Sequence, residues 1–465
     1  MANRDTSGMG DDTLAKRLFR AVPDSARELW DILDREGETV VVGGCVRDVT
    51  MGQTPHDWDF ATRLTPNQVR TVAEAYGWSV RDTGVQFGGV TCIRGPWRYE
   101  VTTFRKDGRY KDGRHPQTVQ FTTSLFEDLA RRDFTMNAIA IRGNGSVFDP
   151  YLGRMDIANH IIRAVGDPVK RLMEDPLRIW RAFRFMGMGS EWDHEATLSK
   201  AIVATRPLLI NIPRERQSAE LMKLLEMPAF DHALKDLFLQ SRVLDILIPE
   251  LTGTHDFNQY NPHHKYSVAQ HLYLTAQAGP TPILRLAGLL HDIAKPQCFT
   301  LDAQGVGHFY DHAEVGAVYV QEILKRLSFS NQVVKAVTDL VRHHMFPWGE
   351  ARSNTVRRQV REWGLDHVRD LWTLREMDLV GTGFDANFDR ETLEGIVEEI
   401  NAEDHLHLLA LAISGHDIMR VKGIGPGPEV GAYLRRVQRY VDDYPSENRM
   451  AHLIALLEAG TFDIG

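Results

Sequence analysis

The residues VVVGGCVRD at 40–48, followed by HDWDF at 56–60, decide the fold of this chain. Three consecutive valines predict a buried strand, and the glycines after them, Gly43 and Gly44, let the backbone approach a ligand closely. A helix that begins directly after this turn would point its free N–H groups at a phosphate. Arg47 in its first turn could add charge-assisted hydrogen bonds. The sequence therefore predicts a glycine turn that holds a triphosphate.

Two aspartates of the second stretch, Asp57 and Asp59, are one residue apart. In an extended segment, residues i and i+2 point to the same side. Two adjacent carboxylates repel each other unless a cation lies between them, and Mg²⁺ takes such oxygen ligands together with phosphate oxygens of a substrate. Solvated acids in a surface loop are the alternative, because such pairs are common. The nearby glycine turn favours the metal site.

A third carboxylate, Glu100, falls on the second strand of a predicted hairpin. The runs FGGVTCI at 87–93 and YEVTTF at 99–104 are typical of strands, with a Gly-Pro turn between them. If this strand lies beside Asp57 and Asp59, Glu100 could complete the metal site and draw a proton from an attacking hydroxyl. An acid on an edge strand fits the local sequence equally well.

The segment EDLARRDFTMNA at 127–138 carries further candidate ligands for a nucleotide. Arg131 and Arg132 could neutralise phosphate oxygens, and Asn137 could hold a ribose hydroxyl or simply orient the loop. Ion pairs with the two acids that open the segment are the alternative role for the arginines.

The segment EDPLR at 174–178 can select a nucleobase. Pro176 suits the first helical position, which makes Asp175 a helix cap, and capping alone would explain this residue. Otherwise Asp175 accepts from an exocyclic amine while Arg178 donates to a ring acceptor. Cytosine and adenine offer that pattern, and guanine and uracil do not. Arg181 and Arg184, at steps of three, extend the same helix face.

A histidine-rich helical block follows, around LLHDIAKP at 289–296. His291-Asp292 resembles the signature of HD phosphohydrolase domains, and the matching elements are His271, His312, His343, His344 and Asp378. Neutral imidazoles with a carboxylate suit one or two transition metal ions, which could activate water. The sequence leaves open which of His343 and His344 is the ligand. It also leaves open a helical domain that grips RNA without hydrolysis.

Composition indicates an ordinary soluble protein with more than one domain. The chain has 465 residues, 43% hydrophobic and 25% charged, and a net charge of −9. That charge argues against wholesale coating of nucleic acid, although it allows a local basic track. No apolar run is long enough to cross a bilayer, so no membrane contact is expected. The polar N-terminus and three scattered cysteines predict a cytoplasmic protein.

Together these motifs resemble the class II tRNA nucleotidyltransferases and bacterial poly(A) polymerases of the polymerase-beta-like superfamily. The resemblance spans about residues 40–225, and its ordered elements are GGCVRD at 43–48, DWD at 57–59, RRDFTMNA at 131–138, DPYLG at 149–153, EDPLR at 174–178 and Glu215-Arg216 with Glu220. It implies that Asp57 and Asp59 bind catalytic Mg²⁺ and that Glu100 assists. The residues that would contact, read or hold the nucleotide are Gly44, Arg47, Arg131, Asp175, Arg178, Arg181 and Arg184.

The resemblance also implies an α+β fold. A head with a mixed β-sheet and helices is followed by an all-α neck, body, HD-like domain and tail. The predicted division is a disordered tail at 1–20, the head at 21–160, the neck and body at 161–255, the HD-like domain at 256–385 and a helical tail at 386–465. Residues 105–116 correspond to the flexible loop of the family, which takes part in the change from CTP to ATP.

The implied reaction is attack by an RNA 3′-hydroxyl on the α-phosphorus of CTP or ATP, with loss of pyrophosphate. The predicted partner is tRNA, whose 3′-terminal CCA would be built or repaired; the oligomeric state stays open. The closest alternative is a poly(A) polymerase, and partial CC-adding or A-adding activity also fits. A phosphohydrolase whose N-terminal domain only binds RNA, or a non-catalytic RNA-binding protein, would leave the Asp57/Asp59 pair silent.

Overall fold

The computed structural model describes residues 11–108, 119–262, 264–384, 388–403 and 411–463. The chain forms two compact units. Unit 1 consists of Met1–Thr252 with Lys325–Phe329, and unit 2 consists of Gly253–Leu324 with Ser330–Gly465. The predicted boundary at 255/256 thus lies three residues beyond the observed one. The predicted tail at 386–465 falls within the same compact unit as the HD-like domain.

The strands of the described residues are mostly short and concentrated in unit 1. They are β1 Thr39–Val42, β2 Asp59–Thr62, β3 Ser79–Gly84, β4 Gly89–Arg94, β5 Trp97–Thr103, β6 Arg105–Asp107, β7 Val119–Phe121, β8 Ala140–Arg142, β9 Val147–Phe148, β10 Ile161–Ile162, β11 Asp193–His194, β12 Phe299–Leu301 and β13 Gly307–Phe309.

Helices flank the sheet of unit 1 and then dominate the chain. Those before residue 253 are α1 Asp11–Ala21, α2 Asp24–Glu36, α3 Gly44–Thr50, α4 Pro66–Ala75, α5 Leu125–Ala130, α6 Gly153–Ala158, α7 Pro168–Glu174, α8 Leu177–Met186, α9 Ala196–Thr205, α10 Arg214–Leu225, α11 Phe230–Leu234 and α12 Leu244–Leu247. Those after it are α13 Val268–Gln277, α14 Pro282–Leu290, α15 His312–Arg326, α16 Asn331–His343, α17 Ser353–Trp363, α18 Leu365–Thr382, α19 Arg390–Glu403, α20 Gly415–Lys422, α21 Pro428–Asp443 and α22 Met450–Glu458.

The main sheet has seven strands in the order β3-β4-β5-β2-β1-β8-β9. Strands β2 and β5 run parallel, and the other neighbours are antiparallel. The predicted α+β class with a mixed sheet is confirmed. Val40, Val41 and Val42 are buried in the interior strand β1, as expected for a run without polar residues.

Local signals placed two other elements of the head correctly. Helix α4 begins with a capping box, in which the Thr65 hydroxyl accepts from the backbone N–H of Gln68 and the Gln68 side chain accepts from the Thr65 N–H. Strands β4 and β5 form the predicted antiparallel hairpin, with Arg94 paired to Trp97 at its turn. Phe87, placed in the first predicted strand, belongs to a short 3₁₀ turn instead.

The prediction of a disordered tail over residues 1–20 is wrong from residue 11 onward. Helix α1 begins at Asp11, and its Leu14 and Leu18 are 1% and 0% exposed. The four-residue spacing of these leucines places both on one helical face, so burial of that face orders the segment. Residues 1–10 lie outside the described residues.

The predicted flexible loop at 105–116 begins with regular structure. Arg105–Asp107 form β6, which pairs with β7 on the far side of the loop, so that Arg105 lies opposite Phe121. Residues 109–118 lie outside the described residues.

Unit 2 contains a helical bundle, a small hairpin and a C-terminal helical group. Helices α13, α14, α16 and α18 pack on one another, and β12 and β13 form the antiparallel hairpin. Helices α20, α21 and α22 bury a core of their own that includes Ile418, Val437 and Leu453. Within the ranges that the structure describes, we find no helix that is both long enough and apolar enough to span a membrane.

Candidate functional site

The pairing of β2 with β5 brings a third carboxylate to the aspartate pair. Asp59 is the Cα partner of Glu100 in this parallel pair, so both side chains leave the sheet on the same face. Asp57 is exposed just before β2, and Asp59 is half-buried. Burial raises the pKa of Asp59; the charge of Arg132 lowers it, and those of Glu100 and Asp57 raise it further. The charges of Asp57 and Glu100 both act on Asp59, and carboxylate oxygens are the ligands that a divalent cation such as Mg²⁺ takes.

The predicted glycine turn lies against this group. Gly43 has φ +87° and ψ −136°, a conformation that favours glycine, and α3 begins at the next residue. A Cβ at position 43 would lie 3.1 Å from Nη1 of Arg132 and 3.8 Å from Oδ2 of Asp59. The turn, a guanidinium and a carboxylate thus converge on one point.

The two adjacent arginines share one buried carboxylate, as the ion-pair alternative predicts. Arg131 donates to Oδ1 of Asp128 at 2.8 Å and 3.0 Å, and Nη2 of Arg132 lies 3.5 Å from Oδ2 of the same residue. Asp128 is 0% exposed. Glu127, the other predicted partner, pairs instead with Lys106 at 2.5 Å. Asp128 therefore orients both guanidiniums, and that of Arg132 lies at the turn.

A chain of hydrogen bonds links Arg47 to α8 through the predicted residue Asn137. Arg47 donates to Oδ1 of Asn137 at 2.9 Å, and the Asn137 amide donates to Asp133 at 3.0 Å. Nε of Arg181 donates to the other oxygen of Asp133 at 2.8 Å. Burial alone would raise the pKa of Asp133, yet Arg181 and Asn137 hold that pKa well below its ordinary value. Asp133 was not among the predicted site residues; an acid directly after two arginines was the available signal.

Phe185 is a second residue that the sequence reasoning missed. Its ring, 2% exposed, lies under three guanidiniums, with centroid distances of 5.1 Å to Arg47, 5.7 Å to Arg181 and 4.8 Å to Arg184. Nε of Arg184 also donates to Glu220 at 2.9 Å. Burial lowers the pKa of Arg184, Glu220 opposes this, and the charge of Arg181 lowers it further. The ring thus gathers cations from α3 and α8 at one place.

Asp175 lies between α7 and α8, one residue earlier than the N-cap position, because α8 begins at Leu177 and Pro176 occupies the N-cap. Its Oδ1 accepts from the N–H of Leu177 at 3.1 Å, and Pro176 has helical backbone angles. Arg178 is 8% exposed and donates to Glu174 at 3.0 Å and to the carbonyl oxygen of Arg131 at 3.2 Å. Burial raises the pKa of Asp175, and Arg178 opposes that rise. Selection of a nucleobase by this pair stays a prediction and requires that Arg178 exchange hydrogen bonds.

In unit 2, the structure gathers the predicted histidines around two aspartates. Nε2 of His271 lies 3.1 Å from Oδ2 of Asp292 and 3.1 Å from Oδ1 of Asp378. Nε2 of His291 lies 3.2 Å and 3.4 Å from the same two oxygens. The ligand atoms of these four buried residues lie within 4.8 Å of one another.

The second oxygen of Asp292 faces another histidine pair. Its Oδ1 lies 3.3 Å from Nε2 of His312 and 3.6 Å from Nε2 of His344. His343 lies outside the cluster, because its ring stacks on Trp363 with a centroid distance of 4.1 Å. Inclusion of His343 among the predicted metal ligands is thereby corrected, and His344 is the residue in the cluster.

Hydrogen bonds orient these rings for a metal. Nδ1 of His291, His312 and His344 contacts a backbone carbonyl at 2.9 Å, 2.6 Å and 2.7 Å, respectively. A carbonyl only accepts, so each Nδ1 donates, and each ring would bind a metal through Nε2 once that nitrogen is deprotonated. Burial opposes the charged form of His291, but Asp292 and Asp378 raise its pKa to about 10, so a metal ion would displace the proton from its Nε2. The donor set fits two metal ions that share Asp292.

The cluster opens into a cleft of about 780 Å³. Asp292, His312, His344 and Asp378 form part of its wall, and Lys295, whose Nζ lies 2.6 Å from Oδ2 of Asp292, lines it too. A small molecule in this cleft would therefore meet both the metal ligands and a cation.

Comparisons with known proteins define the class first. Residues 39–163 match the Poly A polymerase head domain, residues 195–253 match the probable RNA and SrmB-binding site of polymerase A, and residues 263–379 match the HD domain. The chain is thus a nucleotidyltransferase-type protein with an HD domain, and both domain types use divalent metal ions.

Full-length relatives define the family. A CCA-adding enzyme of Geobacillus sp. (strain WCH70) is 32% identical over 406 residues, covering 87% of this chain and 88% of the relative. One from Streptococcus sanguinis (strain SK36) is 29% identical over 422 residues, covering 90% and 93%. The chain belongs to the family of CCA-adding enzymes.

Solved structures agree with this assignment. The Bacillus stearothermophilus CCA-adding enzyme in complex with CTP has a TM-score of 0.64 and 27% identity, covering 96% of this chain and 98% of that one. The Thermotoga maritima CCA-adding enzyme complexed with tRNA has a TM-score of 0.59 at 19% identity, with the same coverage, and shows the shared fold.

Proposed function

We propose that this protein adds or repairs the 3′-terminal CCA of tRNA, using CTP and ATP and releasing pyrophosphate. The observation that carries the proposal is the convergence of Asp59, Glu100 and the Gly43 turn on the neighbouring strands β5, β2 and β1 of the main sheet. Full-length similarity to CCA-adding enzymes supports it, as does the fold shared with one bound to CTP.

In this proposal, Asp57 and Asp59 hold Mg²⁺, whose charge when bound stabilises the attacking and leaving oxygens. Glu100 accepts the proton of the RNA 3′-hydroxyl, because it lies opposite Asp59 on the same face. The Gly43 turn admits the triphosphate to close range, and Arg132 beside it neutralises phosphate oxygens.

Base selection belongs to the first turns of α8. Asp175 accepts from the exocyclic amine of cytosine or adenine, and Arg178 donates to the adjacent ring acceptor. Arg181 and Arg184 hold the nucleotide in place over Phe185. Guanine and uracil present a carbonyl oxygen to the Asp175 carboxylate, so both are rejected by repulsion.

The test is to incubate the protein with tRNA lacking its 3′ end and each nucleoside triphosphate in turn, and to sequence the products. Addition of CC from CTP, followed by a single A from ATP, supports full CCA addition. Long A tails would assign the protein to the poly(A) polymerases, and products that stop at CC or need CC beforehand would assign a partial activity. No incorporation at all would leave RNA binding alone.

We also propose that unit 2 hydrolyses phosphoesters with metal ions held by the histidine cluster. The supporting observation is Asp292, whose two oxygens face different histidine pairs at the wall of the cleft. Bound metal should be measured together with phosphodiesterase and phosphatase activity. His291→Ala should abolish both, while His343→Ala, one residue from a cluster member but outside the cluster, should retain both. Absence of metal and of turnover in the unaltered chain would refute hydrolysis.

The cytoplasm is the compartment that we propose for both activities. All three cysteines are free thiols, which suits reducing conditions, and tRNA is processed there. Fractionation of cells with an antibody against the chain tests this placement.

A further inference from the structure

Two stacked rings, His308 and Tyr310, form part of the wall of the cleft in unit 2. Their centroids are 5.4 Å apart and their planes differ by 10°. Neither ring belongs to the histidine cluster, and the hydrolysis proposed above assigns no role to either one.

The hairpin of β12 and β13 fixes the orientation of the inner ring. His308 pairs with Thr300 across the hairpin, and its Nε2 lies 2.9 Å from Oδ2 of Asp302. Asp302 is itself held by the backbone N–H groups of Gln304 and Val306, both at 2.9 Å. The His308 ring is therefore a preorganised support for the ring that stacks on it.

The outer ring is open to a ligand. Tyr310 is 69% exposed, although a large aromatic side chain usually gains most from burial. Tyr310 keeps this exposure although it stacks on His308, so a ligand can reach its ring. Phe384, which also lines the cleft, is 42% exposed. A flat, exposed ring at the edge of a cleft suits the π-face of a nucleobase.

Cations and the histidine cluster lie within reach of that ring. Tyr310 precedes His312 by two residues, so their Cα atoms are at most about 7 Å apart. His312 faces Asp292, and Lys295 and Arg375 line the same cleft. These cations suit phosphate oxygens. The cleft volume of about 780 Å³ lies within the range of roughly 300–1,000 Å³ that is usual for small-molecule sites.

We propose that this cleft binds a nucleoside phosphoester, with the base stacked on Tyr310 and the phosphate at the histidine cluster. The placement of the phosphate rests on the hydrolytic centre proposed above. His308 positions Tyr310, and Tyr310 selects esters that carry a base over those that do not. The ligand is either a free nucleotide or the terminal nucleotide of an RNA, since both present the same base and phosphate.

Binding affinities test this inference without reference to turnover. We would titrate the full chain, carrying Asp57→Ala and Asp59→Ala in every sample, with AMP, with ribose 5-phosphate and with a short RNA ending in adenosine 3′-phosphate. In this background Tyr310→Ala should weaken binding of AMP, of the RNA, or of both by about tenfold or more, the loss typical of base stacking. Binding of ribose 5-phosphate should stay unchanged, and Tyr310→Phe should bind like the unaltered chain. Tyr76→Ala, an exposed tyrosine of unit 1 at 54%, is the matched control and should change nothing.

The ligands in this experiment distinguish a free nucleotide from an RNA end, and the binding readout distinguishes the stacking site from the hydrolytic centre. Loss for AMP identifies a free nucleotide as a ligand, and loss for the RNA alone identifies an RNA end. Equal weakening of AMP and ribose 5-phosphate, or no weakening of either base-bearing ligand by Tyr310→Ala, would overturn the inference. Tyr310-dependent binding in a protein without hydrolytic activity would uphold the stacking site while refuting the hydrolytic centre.

Discussion

At the scale of single residues, Asp59 and Glu100 are partners across neighbouring parallel strands, so the site depends on strand register as well as on side-chain type. A slip of one residue in β5 would turn Glu100 to the opposite face of the sheet. The same register sets the electrostatics, because burial raises the pKa of Asp59, and Glu100 and Asp57 raise it further. A divalent cation would offset that repulsion.

Replacement of Asp133 should destabilise unit 1 most at neutral pH. Asp133 accepts from Arg181 and Asn137, so Asp133→Asn should lower the free energy of unfolding by about 1–3 kcal/mol. Its pKa is lowered from an ordinary 3.8, so its contribution is present above that pH and is lost as the pH falls below it. Urea unfolding at several pH values should show the difference between variant and unaltered chain shrinking below about pH 4. A difference independent of pH would contradict this account of Asp133.

His194 should make the protein sensitive to mild acid. Burial lowers the pKa of His194 from its ordinary 6.5, although Asp236 opposes this. The unfolded chain therefore binds the proton more tightly, so stability is lost as the pH falls below 6.5. His194→Leu removes that loss, which amounts to at most about 1.4 kcal/mol per pH unit. Urea unfolding between pH 7.5 and pH 5 should show the unaltered chain losing stability faster than the variant; parallel curves would refute the assignment.

The sequence predicted the roles of residues whose partners lie only a few positions away in the chain. Spacing alone predicted that Asp57 and Asp59 interact and that Asp175 lies at the start of α8. The charge of Asp57 does act on Asp59, and Asp175 accepts from the N–H of Leu177. Asp133 was missed because its partner Arg181 is about fifty positions away, and Phe185 was missed because its contact with Arg47 joins segments still farther apart in the chain. Adjacent helical residues point in different directions, so His343 and His344 could be told apart only once the end of α16 and Trp363 were placed.

At the scale of elements, the turn between β1 and α3 leaves space beside Arg132 and Asp59, because Gly43 has no side chain. Gly43→Ala would put a residue with a side chain at a positive φ and place its Cβ 3.1 Å from Nη1 of Arg132. The rate of CMP incorporation should then fall by about tenfold or more, because a displaced reacting group reacts that much more slowly. Gly52→Ala is the matched control, because Gly52 has φ +76° and no atom within 4 Å of the added Cβ. It should lose about 1 kcal/mol of stability but keep its rate. Equal rates for the two variants, measured under single-turnover conditions, would contradict the role of the turn.

Elements with strong local signals were predicted well. The valine run gave β1, the Thr-Pro start gave α4, and the Gly-Pro turn gave the hairpin of β4 and β5. Helix α1 was not predicted because the first residues of the chain are polar and charged; the four-residue spacing of Leu14 and Leu18 is the stronger physical signal. The pairing of β6 with β7 joins segments on either side of residues 109–118, and no local signal reveals such pairing.

At the scale of the whole molecule, the two candidate sites lie in different compact units. The sequence predicted a domain boundary at 255/256 because Gly, Asn and Pro cluster there, and the two compact units divide at 252/253. The predicted tail and HD-like domain belong to one compact unit, although helices α20, α21 and α22 bury a core of their own. Asp59→Ala should abolish nucleotide incorporation and keep phosphoester hydrolysis, and His291→Ala should do the reverse. Both activities should be assayed for each variant. If either variant loses both activities while its fold stays intact, the two centres are not separate.

The most direct test of the central claim is the single-turnover rate of CMP incorporation into tRNA lacking its 3′ end, for Asp59→Asn against the unaltered chain. Asn preserves shape and removes the charge that would hold Mg²⁺, so we expect the rate to fall by roughly a hundredfold or more while circular dichroism stays unchanged. The exposed Asp31→Asn is the control and should keep its rate. Near-normal incorporation by Asp59→Asn would mean that these carboxylates are not the catalytic centre.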